Sequence, residues 1–221
     1  MEVTPALVLA MWTAGMAGGG ALVSHWAIVG PGFGWLTSAV VVVVGGATAM
    51  ADGTVVGLIA AVLALGAGLA ARHHRIATVL FAAAALGYLV VAIPDGGVAA
   101  SISGAVFLGG MTTEMLLGHW FLVDPRLPRR ALQRLDLVAA AGLVADVAVL
   151  AALGALAAGD VVMLGAMGAV TLMTGLLIAG VWFSLKEPSY SGVMAATGLS
   201  YLGVLTAFGV VVVGRLLVAG L

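Results

Sequence analysis

Long stretches without a formal charge set the frame for this chain. No Lys, Arg, Asp or Glu stands between Glu2 and Asp52, and further uncharged runs cover 53–71, 76–94, 96–113, 161–185 and 188–214. Each reaches or approaches the roughly 20 residues with which a helix rising about 1.5 Å per residue crosses about 30 Å of hydrocarbon. The alternation of apolar and polar positions that marks a membrane β-barrel is absent. The pattern therefore predicts spanning helices over 6–29, 33–51, 54–71, 75–93, 97–123, 132–158, 161–185 and 190–216. Turn-forming residues separate them: Gly30-Pro31-Gly32, Asp52-Gly53, Pro94-Asp95-Gly96-Gly97, Asp124-Pro125, Gly159-Asp160 and Glu187-Pro188-Ser189. The segment 132–158 is the weakest of the eight, because Asp136 and Asp146 interrupt it.

Composition points the same way. Hydrophobic residues make up 63% of the 221 and charged residues 8%, against about 25% charged in soluble domains. The start, MEVTPALVLAMW, has no basic region of the kind that precedes a signal-peptide core, so the first apolar segment is expected to remain as an anchor. With no cysteine, disulfides, iron–sulfur clusters and thiolate zinc sites are excluded. Phosphate loops, dinucleotide glycine fingerprints, zinc-protease motifs and nucleophile elbows are missing. The short basic segment LPRRALQR suits anionic lipid or the acidic surface of another subunit, not nucleic acid.

Basic residues cluster at alternate connections. With eight spans, Arg72, Arg75, Arg126, Arg129, Arg130, Arg134 and Lys186 fall on one side, leaving Arg215 as the exception among eight Lys and Arg. The positive-inside rule makes that side cytoplasmic. Both termini are then expected on the non-cytoplasmic side of a bacterial-type inner (plasma) membrane.

An ungapped comparison of residues 15–31 with 109–125 pairs Gly15 with Gly109, Leu22 with Leu116, His25 with His119, Trp26 with Trp120, Val29 with Val123 and Pro31 with Pro125. A weaker echo aligns LGYLVV (86–91) with LSYLGV (199–204), and so Tyr88 with Tyr201. The expected architecture is all-α: a polytopic membrane helix bundle of about eight transmembrane helices. Two four-helix repeats, residues 1–96 and 97–221, make it a four-plus-four duplication. Because each copy has an even number of spans, the copies share one topology and are related about the membrane normal.

Few residues carry chemistry. His25 and His119 end helices running the same way, at matched depth beside Trp26 and Trp120. Two imidazoles at one level suit the axial positions of a haem b iron or the carbonyls of a quinone, with Tyr88 and Tyr201 as further contacts. The competing reading makes each His-Trp an interfacial anchor. Glu114 and Asp146 are intramembrane carboxyls, and such groups point to proton handling. Their alternative role is hydrogen bonding that fixes helix packing. Asp136 is expected to pair with Arg134 or a neighbour. Gly18-Gly19-Gly20 and Gly109-Gly110 suit close helix packing, and Arg72-His73-His74-Arg75 reads as a solvated, lipid-facing turn.

With loops this short, function is expected inside the bundle or through partners in the bilayer, and a stand-alone enzyme is the less favoured outcome. The leading expectation is a membrane subunit of an electron-transfer or respiratory complex, associated with other membrane or redox subunits. It would bind haem b or quinone near the cytoplasmic face and conduct protons through Glu114. The rivals are a small secondary transporter with a central carboxylate site, and a cofactor-free scaffold subunit.

Overall fold

In lipid every backbone N–H and C=O needs a partner within the protein, which leaves a predominantly apolar chain of this kind to form helices. The computed structural model describes residues 3–220, and they form helices joined by short turns. In chain order these are α1 (Pro5–Trp26), α2 (Pro31–Asp52), α3 (Val55–Leu69), α4 (His74–Gly96), α5 (Val98–Trp120), α6 (Arg129–Ala152), the single turn α7 (Ala155–Ala158), α8 (Val161–Lys186) and α9 (Tyr190–Ala219). Seven of them, all but α3 and α7, are long and apolar enough to cross a membrane. The chain is a multi-pass helical membrane protein by that measure.

Local sequence sets the helix ends. The side chains of Thr4, Thr54, Asp160 and Ser189 cap α1, α3, α8 and α9, each accepting a bond from a first-turn N–H. Proline occupies the first turn of α1 and α2, where no N–H is needed. Several ends differ from the apolar pattern. α1 stops at Trp26, three residues early, because Ala27 turns left-handed at φ 52° and bonds back to the Ser24 carbonyl. α6 begins earlier, at Arg129, since arginine is a good helix former, and breaks at Gly154, whose φ of 80° favours glycine. α3 has 15 residues, about 22 Å of helix, short of a full hydrocarbon width.

Two groups of four helices follow from the packing. α1 packs on α2 and α4, and α3 closes the group by touching both; in the second group α5 packs on α6 and α9, and α8 closes it in the same cyclic order. The groups meet mainly where α1 lies against α5. These two are the most enclosed spans, 61% and 78% buried, whereas α8 at 17% is peripheral.

Glycine makes the central contact possible. A Cβ built on Gly109 would collide with the backbone of Gly15, and one on Gly15 with the Ala105 carbonyl and Gly109. Further along, Gly19 presses on Thr113, and earlier Met11 meets Gly104. The contacts advance in one direction along both helices, so α1 and α5 run parallel. Gly109→Val should therefore cost about 3 kcal/mol or more, since neither backbone can retreat. Gly18→Ala, which adds a methyl into open space, should be close to neutral. Thermal unfolding of the two variants in detergent checks the contrast.

The connections rich in basic residues share one end of the bundle. Arg129 donates to the carbonyls of Glu187, of Pro188 at 2.6 Å and of Ser189 at 2.9 Å, tying the start of α6 to the α8–α9 turn. At that end Trp120 packs edge-on against Phe33 with centroids 6.1 Å apart, and the Arg134 guanidinium lies 5.8 Å from the centre of the Trp26 ring.

Candidate functional site

Two buried polar layers cross the second helix group, and α5 contributes to both. At one level Asp146 of α6 meets Arg215 of α9, each fully buried. Arg215 holds the carboxylate with both terminal nitrogens, Nη1 to Oδ2 at 3.0 Å and Nη2 to Oδ1 at 2.6 Å. Ser103 of α5 donates to Oδ1 at 2.6 Å, and Nη2 also donates to the Ala100 carbonyl at 2.7 Å. The fork geometry and the added donor give both carboxylate oxygens a partner, as a buried charge requires, while Arg215 Nε has none among the described residues. Asp146, expected as a proton-handling residue, thus sits in a neutralised brace joining α5, α6 and α9. Arg215, the exception to the charge asymmetry, is its partner. A depth comparison hints at this pairing: both residues lie a few positions before the ends of helices that run the same way.

The other level lies eleven residues along α5, about 16 Å away. Glu114 is 1% exposed and Ser200 of α9 is fully buried. Ser200 Oγ reaches both Glu114 Oε2 and the Ala196 carbonyl, the latter at 2.8 Å. Its single proton can serve only one of them at a time. Glu114 Oε1 and the neighbouring Thr113 hydroxyl have no partner among the described residues. α6 supplies the second carboxyl. Gly110 lies against Ala139 and Phe107 against Gly142, a register that carries Asp136 to the level of Glu114. Asp136 is 2% exposed and makes no ion pair among the described residues, since Arg134 turns away to the Trp26 ring. The expected Asp136–Arg134 pair does not form.

The matched tryptophans Trp26 and Trp120 pack against one hydrophobic cluster, whereas the matched imidazoles take different neighbours. His25 is exposed and shares a cleft with His73, His74 and Arg75 from the start of α4. His119 is also exposed but turns to Tyr201 of α9: Tyr201 Oη lies 3.4 Å from Nδ1, with the rings edge-to-face at 6.5 Å. Each imidazole thus takes its neighbours from its own helix group. A haem held between them would need the two rings to converge across one slot. Tyr88 departs from Tyr201 as well. It is fully buried against Gly45 and its hydroxyl has no partner among the described residues, whereas Tyr201 is 47% exposed. No group of three or more His, Asp or Glu side chains among the described residues is arranged to hold a metal ion.

Comparison of the chain with protein-family models, with curated proteins and with solved structures returned no match.

Proposed function

We propose that the chain is a small proton-coupled secondary transporter whose working site is the carboxyl pair Glu114 and Asp136 with Ser200. The observation that carries this reading is the burial of two carboxyls at one level that make no ion pair among the described residues. Charging both at once in a low-dielectric interior is expensive, and exchanging a proton is the cheapest way to avoid it. Ser200 suits that exchange, because its hydroxyl can donate to Glu114 when the carboxyl is charged. It can turn to the Ala196 carbonyl and accept from Glu114 when the carboxyl is protonated. Asp146, neutralised by Arg215, supports the assembly and takes no part in this exchange.

The proposal includes the eight-span, four-plus-four architecture. Residues 94 positions apart touch at the α1–α5 contact, Gly15 with Gly109 and Gly19 with Thr113. Such self-matching contact is what a twofold relation between duplicated halves produces along its axis. α3 would complete the eighth span together with the turn that follows it. The end carrying the basic residues would face the cytoplasm, which places both termini outside a bacterial-type inner membrane. Reconstitution in liposomes tests the function: protein-dependent proton flux, read by a trapped pH dye, should be present in the wild type and lost in Glu114→Gln.

One observation favours a second reading. His119 and Tyr201 stand side by side on the rim of the bundle, both exposed, and together could hydrogen-bond the carbonyl of a lipid-dissolved quinone in an electron-transfer assembly. On that reading a ubiquinone analogue should stabilise the purified protein thermally, and His119→Leu should abolish the shift. An unchanged melting curve would remove it.

A further inference from the structure

We propose that the cleft between the end of α1 and the start of α4 binds the phosphate headgroup of an anionic phospholipid. The cleft, about 780 Å³ in volume, is lined by Ser24 and His25 from α1 and by His73, His74, Arg75 and Thr78 at the start of α4, with no acidic residue. Four features converge on an anion. Arg75 brings a permanent positive charge, and three imidazoles bring ring donors. α4 opens without a side-chain cap or an acidic residue in its first turn, which leaves the N–H groups of His74, Arg75 and Ile76 free of helical acceptors. A helix N-terminus in that condition attracts phosphate. Finally, Ser24 is buried at 6% exposure, lines the cleft, and its hydroxyl has no hydrogen-bond partner among the described residues.

The walls select a lipid over a soluble anion. Ile76 and Val79, exposed by 52% and 66%, border the same cleft and offer an apolar surface to an acyl chain below the headgroup. The cleft lies at the end of the bundle that collects the basic connections, the level at which headgroups reside. Second-half residues at the matching place behave differently: His119 is taken up by Tyr201, and Arg129 is committed to three carbonyls.

Native mass spectrometry of the detergent-purified full chain tests the assignment, using phosphatidylglycerol and phosphatidylcholine as probes. The wild type should retain phosphatidylglycerol preferentially. Arg75→Gln should reduce that retention by about fivefold, and adding His73→Gln and His74→Gln should bring it to the phosphatidylcholine level. Arg130→Gln removes an equally exposed charge at the same end and should leave it unchanged. Ser24→Leu fills the cleft without touching charge and should also reduce retention. Equal losses in Arg75→Gln and Arg130→Gln, or no loss in Arg75→Gln and Ser24→Leu, would overturn the proposal. So would inorganic phosphate stabilising the lipid-free protein as well as phosphatidylglycerol does, which would assign the cleft to a soluble anion.

Discussion

Asp146→Leu is expected to destabilise the folded bundle by about 3–5 kcal/mol, the usual cost of stranding one member of a buried ion pair. The variant leaves the Arg215 guanidinium fully buried with only the Ala100 carbonyl and a sulfur contact to Met11 at 3.9 Å. Arg215→Leu should cost a similar amount, since Asp146 then keeps only its bond from Ser103. The double variant Asp146→Leu, Arg215→Leu should recover most of the loss, because two apolar side chains leave no charge to bury. Unfolding in detergent, followed by the four-way cycle, measures this. Simple addition of the two single losses would mean that the pair is not the unit described.

The second large effect concerns activity. Glu114→Gln keeps the shape of the side chain and an acceptor for Ser200 but removes the exchangeable proton. Positioned proton transfer contributes about 10²–10⁴-fold, so proton-coupled flux should fall by at least about a hundredfold while the melting temperature holds. Asp136→Asn should also depress flux, since it removes the like charge that makes exchange favourable. If the cluster served packing alone, Glu114→Leu would leave flux intact and could raise stability, and Glu114→Gln would be silent in both respects.

Uncharged runs of nearly membrane-spanning length make the helices legible in the sequence, and turn residues such as Asp160 and Ser189 mark where two of them start. Depth along each helix was legible too: Gly109, read as a close-packing site, and its match Gly15 meet at the crossing of α1 and α5. Rotation about the helix axis was not. His25 and His119 share a depth, yet each turns to neighbours in its own helix group. The partners of the two α6 aspartates were hidden for the same reason. Asp136 lies two residues from Arg134 in sequence, but side chains at that spacing on a helix point about 160° apart, and Arg134 finds the Trp26 ring instead. Asp146 finds a partner 69 positions away, a distance over which hydropathy carries no information about contact.

The central claim is that Glu114 moves protons. The measurement that bears on it most directly is proton flux into liposomes carrying equal amounts of wild-type protein and of Glu114→Gln, with an imposed pH gradient and a trapped pH-sensitive dye. Flux above protein-free liposomes in the wild type and at their level in Glu114→Gln is the predicted result. Flux that is equal in the two proteins, with Glu114→Gln folded and stable, would contradict it.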